Sequence, residues 1–504
     1  MVLQDSGRRG IPGIAPAAGL LDLTLLSCRA MKPISLSCLS AMVAVALPLG
    51  VLPAQNAPAA PSVVAFVDVN VLPMDRERIL QGQTVIVRDG RIASIEPSAR
   101  ARIPSGALRV DGRGKYLMPG LAEMHAHIPG AQAPEQVIHD IFTLYVANGV
   151  TTIRGMLGAP NQLTLRSKTA SGEMLGPTIF VGAPSLNGNN ATDPATAARL
   201  VREHKAAGYD FLKLHPGIPR TSYDSIVAAA RAVGLTYAGH ISAGVGLEHT
   251  LANRQSTIDH LDGYLEAALP EAVRMRVIAE QANLGEMVNA VDASRFAALA
   301  ADTRKAGTWN VPTAFLWESF FSPEPPEDMA KRAEMKYAQP QWITGWSNQK
   351  RNRIQQDQLN GVTPEVSAKY LSLRRTLLKT LADSGARLLM GTDSPQMFNV
   401  PGFALHHEIE LMQEAGLTPY QVLESGTRNV AEYAAKDLKL DGKFGTVAVG
   451  NRADLLLLDA NPLADVRNVA RRAGVMVRGR WLPSAELDRL LAEMAARNSG
   501  APRG

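Results

Sequence analysis

The chain has 504 residues, 46% of them hydrophobic and 20% charged, and a formal net charge of +5 from 52 basic and 47 acidic side chains. That is about three times a domain length of roughly 150 residues, and the composition is globular, which excludes a chain disordered throughout. The two cysteines, Cys28 and Cys38, both precede residue 40, so the rest of the chain has no disulfide framework, cysteine zinc site or cysteine nucleophile.

No basic run interleaved with aromatic residues marks a nucleic-acid partner. From Met31, Met-Lys-Pro precedes an apolar run from Ile34 to Leu52, and small residues around Ala54 to Ala60 suit cleavage. Charged start, apolar stretch and cleavage zone in that order predict an export signal, with translation from Met31 and a periplasmic or extracellular product. The apolar run is interrupted by Ser and Pro and is short for a bilayer span, so no stable span is expected after cleavage.

Residues 61–117 read as β structure: Val63 to Val71 alternates, and Val85 to Ile95 forms a hairpin turning at Asp89-Gly90. Residues 439–484 are again short strands, at 445–450, 454–459 and 475–481. The two segments predict one small β-sandwich built from both chain ends. Between them, at 118–438, buried-looking strands are predicted at 116–124, 151–154, 178–182, 211–214, 236–239, 256–259, 309–312 and 388–391. Helical patterns punctuate them, with Asp193-Pro194 and Thr418-Pro419 opening helices and Gly208 and Gly234 closing them. Eight strand–helix repeats predict an α/β fold, a (β/α)8 TIM barrel carrying a helical insertion at 322–379. Within the insertion, the tract from Glu334 to Trp342 reads as a lid or an ordinary amphipathic helix, and 485–504 as a helix and tail.

The chemistry-bearing residues fall at the predicted strand ends. In His125-Ala-His127, positions i and i+2 of a strand point to one face, so both imidazoles reach one metal. Lys213, His240, His260 and Asp393 end later strands, with 27 positions from Lys213 to His240 and 20 from His240 to His260, each close to one strand–helix unit. Barrel enzymes place their chemistry at this end. Arg154 is a candidate fork for a substrate carboxylate, with a structural ion pair equally open. His215, Tyr264 and His406 follow strand ends and are candidate substrate contacts, with packing as their other reading.

With these residues in place, the chain resembles the amidohydrolase superfamily, and most its imidazolonepropionase-related branch, which includes Xaa-Pro dipeptidases. The resemblance runs from about Val63 to Leu482 and rests on Met118-Pro-Gly-Leu, Gly149-Val-Thr-Thr-Ile-Arg154, Gly391-Thr-Asp-Ser394 and Gly445 to Leu455. It implies two divalent ions, zinc foremost, with His125, His127 and Asp393 on the more buried ion and His240 and His260 on the second. It implies a Lys213 carboxylated by CO2 that bridges the two, and Asp393 as the general base and acid around an activated water. The implied activity is hydrolysis of an amide or peptide C–N bond in a small molecule: a dipeptide, an N-acyl amino acid or a cyclic amide. Three departures bear on dipeptidase specificity alone: Leu-His-Pro-Gly-Ile after Lys213, Ile-Ser-Ala-Gly after His240, and Gly155. Two other readings stay open. One is a mononuclear amidohydrolase or deaminase of a cyclic substrate, in which Lys213 does not bridge; the other is a silent binding protein on the same scaffold. A homo-oligomer is compatible with either.

Overall fold

The computed structural model describes residues 63–499. The export-signal reading lies outside the described residues. Five strands come first among the described residues: β1 (Val63–Val71), β2 (Leu80–Arg88), β3 (Arg91–Pro97), β4 (Leu108–Asp111) and β5 (Tyr116–Pro119). Eight short parallel strands follow: β6 (Leu121–Ala126), β7 (Val150–Gly155), β8 (Thr178–Val181), β9 (Phe211–Leu214), β10 (Thr236–Gly239), β11 (Thr257–Asp259), β12 (Trp309–Val311) and β13 (Arg387–Leu388). The last three are β14 (Leu455–Leu458), β15 (Arg472–Val477) and β16 (Arg480–Pro483).

Strands from 63–119 and 455–483 join in a single eight-stranded mixed sheet in the order β16-β15-β14-β5-β1-β2-β3, with β4 beside β1. Two hairpins set its registers. At the β2–β3 turn Asp89 and Gly90 both have positive φ (49° and 74°), as do Arg478 and Gly479 (48° and 85°) at the β15–β16 turn. That geometry matches the twist of the flanking strands. The turns touch: a Cβ on Gly479 would sit 2.6 Å from the Gly90 Cα, so the position accepts only glycine. Val64, Phe66, Leu117, Leu455 and Met476 join in one apolar cluster beneath the sheet, which is what ties the first sixty described residues to the last fifty.

The predicted single strand at 116–124 is two strands. The chain breaks at Gly120, where a Cβ would fall 2.4 Å from the Thr151 side chain, and β5 joins the terminal sheet while β6 enters the parallel set. No strand forms at 445–450; that stretch is irregular and only flanks β14.

The parallel strands group as β6-β7-β8 and β9 to β13. Parallel bridges Gly182–Phe211 and Leu186–Leu214 link β8 to β9, and the bridge Ala126–Ser394 links β6 to the segment after β13. On that second seam Met124 N donates to Met390 O (2.8 Å) and Asp393 N to His125 O (2.9 Å). The arrangement is TIM-barrel-like, with helices following the strands. Their punctuation is as read: the Asp193 carboxylate accepts from Ala195 N and Thr196 N at the start of Pro194–Ala207, and Gly208 closes it at φ 87°. Thr418 and Gln421 form a capping box on Pro419–Ser425.

Between β12 and β13 lie the helices Ala314–Phe321, Pro340–Leu359 and Pro364–Asp383. The first is held at both ends by buried ionisable side chains. Glu408, from the helix Phe403–Glu414, accepts from Ala314 N (2.9 Å) and Phe315 N (2.8 Å). Lys350 donates to the carbonyls of Ser319, Phe320 and Ser322 at 2.8–3.0 Å. Each charge faces the helix-dipole end that favours it, but burial still pushes Glu408 up to about 7. Its folded value exceeds the unfolded one, so the folded chain keeps this proton between pH 4.5 and about 7 while the unfolded chain loses it. Stability contributed by Glu408 therefore falls across that window, by on the order of 3 kcal/mol. Glu408→Gln is expected to remove this slope, so the melting-temperature difference between wild type and variant moves in the variant's favour as pH rises from 5 to 8. An unchanged difference across that range contradicts the assignment.

The tract from Glu334 to Trp342 is not one helix but a 3-10 turn, Ala333–Tyr337, followed by the start of the helix Pro340–Leu359. Glu334 and Met335 are buried in a short 3-10 turn, Tyr337 stacks on Phe403 (5.1 Å, 13°), and Asn498 of the terminal helix Ser484–Asn498 donates to Tyr337 O. Among the described residues no helix is long and apolar enough to cross a membrane.

Candidate metal centre

His125 lies in β6 and His127 follows its end, with ring centroids 5.7 Å apart, as same-face neighbours on a strand require. Lys213 lies within β9, His240 directly follows β10 and His260 directly follows β11. Asp393 comes five positions after β13, on the segment bonded to β6. The structure thus brings all six residues together. Ring centroids of His125 and His260 are 4.5 Å apart and those of His240 and His260 4.6 Å. Lys213 Nζ is 3.4 Å from His125 Nε2. Asp393 Oδ1 lies 2.9 Å from His127 Nε2 and 3.5 Å from His125 Nε2, and its Oδ2 3.7 Å from His260 Nε2.

Close packing permits this convergence. A Cβ on Gly391 would lie 2.7 Å from Val311 Cγ1 and 2.8 Å from His125 N. His260 and Asp393 both have positive φ (62° and 64°). Non-glycine residues rarely adopt that region, and such strain concentrates at functional sites.

Three of the histidines present the same nitrogen inward. His240 Nδ1 is 2.8 Å from Asp262 Oδ2, His260 Nδ1 is 2.8 Å from Thr313 Oγ1, and His125 Nδ1 is 2.9 Å from Asp259 Oδ2, the last off the ideal hydrogen-bond direction. A carboxylate on Nδ1, as at His240 and His125, favours the tautomer that leaves Nε2 with its lone pair free, which is how ligand histidines are held, while the Thr313 hydroxyl accommodates either tautomer of His260 and fixes its ring orientation. Burial first, and then neighbouring positive charge including Lys213, push His125, His240 and His260 well below the usual imidazole range. They are therefore neutral donors at neutral pH. Burial also brings Lys213 down to about 8. Burial pushes Asp259 up, but Arg154 and Lys213 outweigh it and hold the carboxyl below its ordinary value.

The donor set fits a divalent cation. His260 Nε2 and Asp393 Oδ1 are buried with no hydrogen-bond partner among the described residues. Buried polar atoms left unpaired are costly, and a cation would satisfy both. His125, His127 and Asp393 offer ligand atoms within 4.8 Å of one another.

The softer candidates divide. His215 lies beside the cluster, its ring stacked on His240 (4.8 Å, 20°). Arg154, a candidate for a substrate carboxylate, is fully buried; it donates to Met124 O and both oxygens of Asp259, and also reaches Thr257 and Tyr433. Its donors are spent within the protein. Tyr264 is also fully buried, its hydroxyl bonded to Thr303 and Asn310 at 2.8 Å, so it does not face the site. His406 sits on the helix Phe403–Glu414, where burial and then His407 and Arg472 bring it down to about 4; it is not part of the cluster.

Five supporting residues are absent from the sequence reading. Asp259 and Asp262 flank His260 in sequence and carried a local signal. So did Glu123, two positions before His125 on the same strand face. Its Oε1 accepts from His125 N and Thr392 N and its Oε2 from Thr392 Oγ1, tying β6 to the Asp393 segment. Thr313 and Arg374 are 53 and 114 positions from His260 and carried none.

A family model described as "Amidohydrolase family" matches residues 116–482. The chain belongs to that family. Among curated relatives, adenine deaminase 3 of Rhizobium meliloti is 28% identical over 185 residues, covering 33% of this chain and 30% of that protein. Enamidase of Eubacterium barkeri is 34% identical over 76 residues, 15% and 20% of the two chains. These matches thus span less than a third of either relative. Solved amidohydrolase-fold structures align over far more. Bottromycin amidohydrolase has a TM-score of 0.67 at 23% identity over 87% of this chain and 91% of its own. A prolidase of Bifidobacterium longum, described as putative, gives 0.60 at 23% over 86% and 99%. At that identity they establish the fold.

Proposed function

We propose that this chain is an exported, metal-dependent hydrolase of amide or peptide C–N bonds in small molecules, working in an eight-stranded barrel closed through the two seams described above. One observation carries it: buried Nε2 atoms, a lysine amine and a carboxylate from separate strand ends converge, and two of those atoms, His260 Nε2 and Asp393 Oδ1, make no well-directed hydrogen bond among the described residues even though Asp393 Oδ1 lies 2.9 Å from His127 Nε2. His125, His127 and Asp393 would hold one ion, His240 and His260 a second, and Lys213 as a carbamate would bridge them. Bound divalent ions of this kind, zinc foremost, polarise a carbonyl and acidify water. Asp393 then accepts a proton at Oδ from the attacking water and delivers it to the leaving nitrogen. His215, stacked on His240 beside the cluster, would contribute a substrate contact. With Arg154 committed to Asp259, substrate recognition does not run through that guanidinium.

A second reading, a deaminase of a cyclic substrate, draws on the resemblance to adenine deaminase 3. A panel of N-acyl amino acids, Xaa-Pro and other dipeptides, cyclic amides and adenine, assayed with zinc and after chelation, separates the two. Metal-dependent amine release from an acyclic amide supports the first; ammonia from adenine alone supports the second. No turnover of any amide by zinc-loaded protein contradicts the proposal.

A further inference from the structure

We propose that Arg374 is a positioning residue for the second ion, one guanidinium stapling the ends of β11 and β12 so that both the backbone and the ring orientation of His260 are fixed. The inference rests on the metal-centre reading above. Arg374 belongs to the helix Pro364–Asp383, outside the parallel strands, and is 7% exposed. Its Nη2 donates to His260 O at 2.6 Å and to Pro312 O at 3.3 Å, and its Nη1 reaches Tyr370 Oη at 3.4 Å. The guanidinium lies over the Trp317 ring, 4.5 Å from its centroid, a cation–π contact that adds to its restraint.

The two carbonyls need such a donor. Past β11 and β12 the chain leaves the ladder through left-handed backbone at His260, Leu261 and Thr313 (φ 62°, 53° and 48°), none of them glycine. A strained backbone persists only where its surroundings over-determine it, and a buried carbonyl without a donor is costly. Thr313, next to Pro312, supplies the oxygen on His260 Nδ1 at 2.8 Å. Arg374 thus holds the ring's own backbone and, through Pro312, the residue whose hydroxyl orients the ring. The result is a His260 Nε2 that is buried, unpartnered and aimed at Asp393. Among the described residues no hydrogen bond ties Arg374 to His125 or His127; His125 N donates to Glu123 on β6 and His127 N to Ser394 O. The clamp therefore serves one half of the centre.

The test titrates metal-free wild type, Arg374→Ala, Arg374→Lys and Thr313→Val with Co(II), reading visible absorption and metal per chain, with thermal unfolding of each metal-free protein alongside. Arg374→Ala is expected to weaken the second ion by ~10–100-fold, the usual cost of losing an outer-shell partner, and to leave the first within about threefold. Arg374→Lys, which keeps the charge and a donor, is expected to recover part of the loss. Thr313→Val, which leaves the guanidinium intact, is expected to show the same selective weakening and so carries the test if Arg374→Ala does not fold. Two ions bound as in wild type by the variants, or parallel loss of both ions with a lowered melting temperature, overturns the inference while the two-ion reading stands. Fewer than two ions on wild type overturns both.

Discussion

Asp393→Asn is expected to lower turnover by about 10³-fold at saturating metal, the scale of a lost general base, with little change in the fold. The replacement is nearly isosteric, and the backbone seam from Asp393 N to His125 O is untouched. What changes is chemistry: the amide cannot take up a proton, and it presents an NH2 or a neutral oxygen where two histidine Nε2 atoms now lie 2.9 and 3.5 Å from carboxylate Oδ1. Metal affinity is expected to fall as well, so turnover is measured across a metal titration to separate the two losses. Unchanged turnover at saturating metal removes Asp393 from the proton-transfer role.

Lys213→Ala carries the second large effect. The side chain is wholly buried, and burial brings its amine down to about 8, so a sizeable neutral fraction exists near neutral pH, far more than for an ordinary lysine. On the proposed reading this neutral amine would add to CO2, forming an N–C bond and releasing one proton, and the resulting anion would attract bound metal where the ammonium would repel it. Alanine cannot do this. The variant is expected to retain at most one ion per chain and to lose at least 100-fold in turnover, with partial return when a short carboxylate such as propionate fills the vacated space. Full metal content and activity in the variant instead select the mononuclear reading.

The parts of this molecule legible in sequence are those specified locally. Caps and stops at Asp193, Gly208, Gly234 and Thr418 stand where the helices begin and end, because capping depends on a few adjacent residues. The strand ends bearing His125, Lys213, His240, His260 and Asp393 were legible from their spacing. Arg154 shows the limit. A buried arginine at a strand end fits a substrate fork and an internal ion pair equally, and only the fold reveals that Asp259, 105 positions away, consumes it. Tyr264 follows a strand end in sequence yet turns toward Thr303 and Asn310, since its position along the chain does not fix which side of the wall it faces. The break at Gly120 was hidden because its cause is a contact with Thr151. Thr313 and Arg374 were hidden for the same reason, as partners brought to His260 only by tertiary structure.

The most direct test of the account is metal per chain in wild-type protein purified without chelator, by elemental analysis. The account predicts about two divalent ions per chain, as the paired-ion mechanism requires. Protein that emerges metal-free and takes up none when zinc is supplied contradicts it.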